Sequence, residues 1–323
     1  MLKNKNTLIL TAILAVCIII CIILAVFVIK NVIVPTFAPS TQYMELPIAE
    51  NMPLAEAKAR LEELQISYEI VPTSSRVANR VERLEYVGKN ENGKALFEIG
   101  TQIKIYANEI GIDKVIYLTF DDGPTRDNTM DILNTLESFG IKASFFVVGE
   151  DVELWEDRMV ATFDSGHVIA CHSHTHAFDK VYASVDSFIS EIEQYENALK
   201  NTLGEEKFQM VKPIIRFPGG TNNAYLSDAE ALEYINAVRS KGYKVYDWTA
   251  LTGDAEGNKD AQSFIAYLEG GLNKATGKGE PLIVLMHDKW STNEALSTII
   301  EHLISKGYYF DTVDNCPEYT FVE

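Results

Sequence analysis

The sequence predicts an α/β protein whose main part is a distorted (β/α)7 barrel, preceded by a transmembrane helix and a small α+β module. Three observations carry this expectation. From residue 113 onward, short β-branched and aromatic runs alternate with amphipathic stretches, and such alternation implies parallel strands with right-handed crossovers. No Gly-x-Gly-x-x-Gly follows the first of these runs, which favours a barrel over an open doubly wound sheet. Polar residues follow nearly every run, as a site at the mouth of a barrel requires.

The bulk numbers allow this. A chain of 323 residues has room for one large domain with appendages, and 47% hydrophobic with 23% charged residues is ordinary for a globular protein. A net charge of −18 argues against nucleic acid, which rewards basic patches, and is silent on a neutral polymer. Two of the four cysteines, Cys17 and Cys21, lie in an N-terminal apolar run. The other two, Cys171 and Cys316, are too few for a disulfide framework in so large a chain and read as buried thiols.

Residues 1–6 read as a cytoplasmic N-terminus, and Thr7–Ile29 is almost continuously apolar with no charge. At 1.5 Å per residue it spans about 35 Å, enough to cross a bilayer. Lys3 and Lys5 ahead of it place the N-terminus inside and the rest outside, as a single-pass membrane protein with its main domain extracellular. A cleaved signal peptide is the alternative, with Thr36-Phe37-Ala38 as its weak cleavage candidate. Residues 30–43, with Pro35 and Pro39, read as a linker. Residues 44–108 then read as one helix against three or four strands. Pro53 opens the helix, Leu54, Ala57, Leu61 and Leu64 form its apolar stripe, and Ser67–Val71, Arg80–Val87, Ala95–Phe97 and Thr101–Ala107 are the strands.

In the barrel the expected strands are Lys114–Phe120, Ala143–Val148, Val168–Ala170, Pro213–Phe217, Lys244–Trp248, Pro281–Met286 and a last short one after Tyr308. The helices between them are Asp127–Phe139, Leu154–Ser165, Ser184–Leu203, one from Ser227 with Glu230 as its capping box, Asp260–Ala275 and Asn293–Lys306.

The chemistry collects where the strands end. Asp121 and Asp122 follow the first strand, and two adjacent carboxylates repel unless a cation compensates. His172, His174 and His176 follow the third, Arg216 and the turn Pro218-Gly219-Gly220 lie at the fourth, Asp247, Trp248 and Asp254 follow the fifth, and His287 and Asp288 the sixth. Four of the six histidines fall on this one rim. His172 and His176, four apart, make with Asp122 a two-His, one-Asp set that leaves positions open for water and substrate. It suits Zn²⁺, and also Fe²⁺, Co²⁺ or Mn²⁺. His174 is a competing ligand; 172 and 176 are preferred.

Four segments carry a close resemblance: Thr119-Phe-Asp-Asp-Gly-Pro124, His172-Ser-x-x-His176, Arg216-Phe-Pro-Gly-Gly220 and Leu285-Met-His287. In order and spacing they resemble the successive motifs of the polysaccharide deacetylase family, carbohydrate esterase family 4, and they span nearly all of residues 113–323. The resemblance implies a distorted barrel that removes acetyl groups from chitin, peptidoglycan or xylan with a divalent metal, Zn foremost, with Co, Ni, Mn or Fe as the other choices. By position it implies Asp121 as general base, Asp122, His172 and His176 as metal ligands, Arg216 orienting Asp121, His287 as general acid and Asp254 tuning it, with Asp247 as the competitor for that last place. Pro218, Gly219, Gly220, Tyr225, Trp248 and Leu285 are the expected substrate contacts, and a backbone N–H near Tyr225 or in the Gly219–Gly220 turn is the expected oxyanion donor. The sequence departs from the family's pattern in one place, with Ala255 beside Asp254 where a Trp is usual. Residues 44–108, from Met52-Pro-Leu-Ala-Glu-Ala to Ile103-Lys-Ile-Tyr-Ala107, resemble a PASTA module of the kind found outside bacterial membranes.

The expected protein is therefore a membrane-anchored deacetylase of cell-wall glycan, with N-acetylglucosamine of peptidoglycan as the favoured substrate. Chitin oligomers, N-acetylmuramic acid and acetylated xylan are the rival substrates, and an inactive wall-binding or sensing protein is the rival class. No nucleic acid or protein partner is implied.

Overall fold

The computed structural model describes residues 20–26, 42–256 and 260–322. Most of the expected span 7–29 and linker 30–43 lies outside these residues. Residues 20–26 are helical, with Ile20, Ile22, Ile23, Leu24 and Val26 exposed. Among the described residues no helix is long and apolar enough to cross a membrane.

Six short strands precede the barrel region: β1 (Tyr43–Glu45), β2 (Tyr68–Val71), β3 (Arg83–Leu84), β4 (Gly88–Lys89), β5 (Ala95–Glu98) and β6 (Ile103–Tyr106). They divide between two compact units, so the stretch 44–108 is not one body. The smaller unit holds β1, β5 and β4 as an antiparallel sheet in that order. Its β4–β5 turn is held by Asn90, whose Oδ1 accepts from the backbone N–H groups of Asn92 and Lys94. The larger unit takes Pro47–Glu85 together with everything from Gln102 onward. There the helix Leu54–Glu63 buries Leu54, Ala57 and Leu61 of the predicted stripe, while Leu64 at its C-cap is exposed. The sheet β2-β6-β3 completes this part, with Arg80–Val87 reduced to the two residues of β3.

The barrel region contributes β7 (Val115–Gly123), β8 (Ser144–Val147), β9 (Val168–Cys171), β10 (Ile214–Ile215), β11 (Lys244–Val245), β12 (Ala250–Leu251), β13 (Leu282–His287) and β14 (Tyr309–Asp311). They pair in the order β11-β10-β9-β8-β7-β13-β12, all parallel. β14 pairs with Val115–Tyr117, the first part of β7, and β8 with the part from Thr119 on. The chain crosses from β11 to β12, the two ends of this path, through residues 246–249 alone. Five residue steps reach at most about 18 Å, whereas a flat sheet with six spacings would separate its ends by about 29 Å. The sheet must curl.

The curled sheet is a half-barrel, the form the expected distorted (β/α)7 barrel takes here. β11 and β12 do not pair with each other, and β12 is an addition to the expected strands. The backbone just past β11 finds another partner in the C-terminal segment, where Asp247 N–H donates to Tyr319 O at 2.8 Å and Tyr246 bridges Tyr319.

Side-chain parity sorts the sheet into two faces. Ile116, Leu118 and Phe120 pack with Phe145 and Ile169 against the surrounding helices. Val115 and Tyr117 pack with Phe146, Ala170, Ile214, Tyr246 and Ile283 on the inner face. Extending the inner parity to the strand ends reaches Asp121, His172, Arg216 and His287. The helices form as their signals predict: Ser184 caps Val185–Leu203, Ser227 and Glu230 form a capping box on Asp228–Ser240, and Asp260 caps Ala261–Lys278. The expected Leu154–Ser165 helix is two, Gly149–Leu154 and Glu156–Asp164. Cys171 and Cys316 are buried free thiols.

Candidate active site

Asp121 is the last inner-face residue of β7, opposite His287 of β13 in the register. Asp122 would point outward by parity, but the pairing with β8 shifts between Asp121 and Gly123, and Asp122 sits at φ 65°. That bulge turns the second carboxylate to the same side. Ser173 (φ 69°) and His176 (φ 54°) are also left-handed, so three non-glycine residues at this rim hold costly backbone conformations.

Asp122, His172 and His176 converge with their ligand atoms within 4.8 Å of one another. Asp122 Oδ1 lies 3.5 Å from His172 Nε2 and 3.4 Å from His176 Nε2. It is buried and has no hydrogen-bond partner, an arrangement that costs free energy unless a cation fills the gap. His172 Nδ1 lies 2.9 Å from the Arg216 carbonyl, so Nδ1 carries the proton and Nε2 presents its lone pair. Burial, with His172 beside it, pushes the His176 pKa down and favours the neutral ring a metal needs. The donor set fits a divalent metal. His174 is not in it: its Nδ1 faces Gly149, where an added Cβ would lie 2.3 Å away.

Arg216 is fully buried and donates from Nη1 to Asp121 Oδ1 at 2.7 Å and to Thr119 Oγ1 at 2.8 Å. Its Nε and Nη2 donate to the carbonyls of Tyr246 and Asp247. Arg216 thus holds the carboxylate by a single hydrogen bond, and the other donors anchor the guanidinium itself. Asp254, not Asp247, faces His287: its Oδ1 is 2.9 Å from His287 Nδ1, and its Oδ2 accepts the His287 backbone N–H at 2.8 Å and the Thr292 hydroxyl at 2.6 Å. Burial alone would push the His287 pKa down. The hydrogen bond to Asp254 and the charges of Asp121, Asp254 and Asp122 outweigh it, and the net shift is upward. Asp254 is raised by burial and lowered more by His287 and Thr292, for a net shift downward.

Leu285 is buried on the inner face, one pleat before His287. The Pro218 carbonyl accepts the Tyr182 hydroxyl at 2.7 Å. Gly219 and Gly220, at φ 76° and 83°, run between the Phe178 ring on one side and the Trp248 and Phe321 rings on the other. Tyr225 is 57% exposed, and its backbone N–H donates to Asn223 Oδ1, while the Gly220 N–H donates to Phe217 O. These two amides, among the alternatives for the oxyanion donor, are engaged by their own loop.

Sequence reasoning missed Glu191 and Asp151 and gave Asp288 no role. Glu191, buried in the helix Val185–Leu203, accepts the N–H groups of His174 and Thr175 at 3.0 and 2.7 Å. A glutamate on the apolar stripe of Phe188, Ile192 and Tyr195 was the available signal. Asp288 is buried on Thr125 and Thr129 and receives no role beyond holding the loop after β7. Asp151 has its carboxyl pushed up to about 6, by burial first and then by the charges of Asp122, Glu150 and Asp288.

Fold and site together define a half-barrel hydrolase with a carboxylate–histidine centre at the C-terminal ends of its strands. The model of the family described as polysaccharide deacetylase matches residues 109–244. The peptidoglycan-N-acetylglucosamine deacetylase of Bacillus cereus is 33% identical over 201 residues, which are 61% of this chain and 68% of that protein. The catalytic domain of a peptidoglycan N-acetylglucosamine deacetylase from Eubacterium rectale matches with a TM-score of 0.56 at 28% identity, over 65% of this chain and 94% of that one. A CE4 esterase of Streptococcus mutans matches with a TM-score of 0.55 at 29% identity, over 62% and 86%. The chain belongs to the polysaccharide deacetylase family.

Proposed function

We propose that this protein is a metal-dependent deacetylase of cell-wall glycan, acting on N-acetylglucosamine of peptidoglycan. One observation carries the reading: a buried, unpartnered Asp122 oxygen faces two histidines, next to a carboxylate held by Arg216 and an imidazole held by Asp254. Asp122, His172 and His176 would hold the metal, Zn foremost. When bound there it would supply a Lewis acid for the amide carbonyl and lower the pKa of water. Asp121, fixed by Arg216, takes the proton of the attacking water. His287, kept protonated by Asp254, delivers a proton to the departing amine, which cannot leave as an anion. Leu285, Trp248, Tyr225 and the turn Pro218–Gly220 contact the sugar and its acetyl group.

The wall substrate is supported by the names of the relatives above. The outward-facing, membrane-anchored location is supported by the apolar run 7–29 with its leading lysines. The test is acetate release from purified peptidoglycan against chitooligosaccharides and acetylated xylan, with Zn²⁺ or Co²⁺ supplied and Asp121→Asn as control. Peptidoglycan should be the best substrate and the variant inactive. No acetate from any glycan overturns the enzyme reading, and much faster release from xylan or chitooligosaccharides overturns the wall assignment.

A further inference from the structure

We propose that Phe321 is a substrate-binding residue: with Trp248 it forms an aromatic wall that packs on the sugar ring next to the one being deacetylated, and Asp247 holds it in place. The proposal rests on the reading of the site as a glycan deacetylase. The two rings meet edge to face, with centroids 5.0 Å apart at 84°. Both border the Gly219–Gly220 turn, since a Cβ added at Gly220 would lie 3.0 Å from the Trp248 ring and 3.2 Å from the Phe321 ring. The Trp248 ring centroid is 5.7 Å from the Arg216 guanidinium carbon, and Arg216 in turn holds Asp121 at 2.7 Å. The wall therefore stands one side chain away from the carboxylate assigned as base.

Its chemistry matches a sugar. A pyranose presents an apolar C–H face and a hydroxyl edge, and an open aromatic surface beside polar groups is the complement of that face. Phe321 is 39% exposed, so its ring presents open aromatic surface beside the Gly219–Gly220 turn. The segment that carries it is tied down by design of its hydrogen bonds. Asp247, fully buried, accepts the Phe321 N–H at 2.7 Å and the Thr221 N–H at 2.9 Å, and it also accepts the Thr221 hydroxyl. Its own N–H donates to Tyr319 O at 2.8 Å. A buried carboxylate with three donors drawn from two segments locks the C-terminal segment to the turn. Asp247 is thus a positioning residue.

The experiment uses the full chain as wild type, Phe321→Ala, Phe321→Tyr and Asp247→Asn. Chitopentaose binding to metal-free protein is measured by calorimetry, and deacetylation kinetics are measured with metal supplied. An aromatic contact of about 0.5–1.5 kcal/mol corresponds to about 2–12-fold in affinity. Phe321→Ala should weaken chitopentaose binding by that factor, and Phe321→Tyr, which keeps the ring, should restore it. Asp247→Asn should raise KM by a larger factor than it lowers kcat. Wild-type affinity in a Phe321→Ala protein of unchanged melting temperature overturns the proposal, as does equal weakening by Ala and Tyr, or no binding by the wild type. If the binding losses appear as expected while no variant and no wild type releases acetate, the wall stands and the deacetylase reading falls.

Discussion

Asp121 and Asp122 are neighbours in sequence with separate partners. Asp121 is held by the Arg216 guanidinium, while Asp122 turns its unbonded oxygen toward His172 and His176. Asp121→Asn should therefore lose turnover by orders of magnitude and keep its metal, whereas Asp122→Asn should lose the metal itself. Acetate release and equilibrium dialysis with Zn²⁺ separate the two; equal metal loss in both would contradict this division. His287 gives a second expectation. Its pKa is raised, so the protonated acid persists above its ordinary 6.5, and activity should fall on the alkaline side as pH rises through the raised value. Asp254→Asn removes the hydrogen-bonded charge and should move that limb to lower pH. The linked stability has the same sign: the contribution of His287 is fully present below about pH 6.5 and disappears as pH rises through the folded value. That of Asp254, whose pKa is lowered, is present above its ordinary 3.8 and disappears as pH falls through the folded value.

At the scale of elements, the site depends on places where regular structure breaks. The bulge at Asp122 aims two consecutive carboxylates at one point, which an unbroken strand cannot do. The Gly219–Gly220 turn threads between aromatic rings, and Gly220 combines φ 83° with no room for a side chain. Gly220→Ala should cost about 1–2 kcal/mol from the left-handed conformation alone, read as a lower urea midpoint. Contact with Trp248 and Asp247 should also raise KM. A variant as stable and as active as wild type would show that the turn rearranges freely. The helix caps are simpler: Ser227→Ala removes one member of an exposed capping box and should cost about 1 kcal/mol without touching catalysis.

At the scale of the larger unit, residues before the family-matched region are built into the catalytic fold. Val77 bridges Phe310 of β14, and Ala78 lies fully buried among the inner-face side chains. Arg80 donates from Nε to Asp311 Oδ1 at 2.5 Å and from Nη2 to Thr312 Oγ1 and Asp314, with both its charge partners buried. Removing one partner from such a cluster leaves uncompensated buried charge, which costs about 3–5 kcal/mol. Arg80→Ala should therefore lower the unfolding free energy by about that amount in urea titration, and a loss under 1 kcal/mol would show that the cluster is not a lock. The opposite end of the chain works the same way, where the segment through Tyr319 and Phe321 covers β11 and reaches the site through Asp247.

The chemistry was legible in the sequence because its signals are local. Asp121-Asp122, the His172/His176 spacing, Arg216 and His287 each follow a recognisable strand, and strand parity carries Asp121, His172, Arg216 and His287 to one face, while the bulge at Asp122 and the left-handed backbone at His176 bring in the other two. Alternating strands and helices also determined a parallel α/β sheet. What only tertiary structure decided depends on distant residues meeting. Asp254 rather than Asp247 bonds His287 because the chain crosses the gap in the half-barrel between them, and no spacing rule distinguishes the two. β11 and β12 stay unpaired, and the C-terminal segment takes the backbone of Tyr246 and Asp247 just past β11. The stretch 44–108 divides because the Arg80 cluster binds one part of it to β14, a contact spanning 231 residues that no local pattern encodes. Local hydrogen bonding and side-chain alternation fix which residues carry chemistry; the packing of remote segments fixes which of them touch.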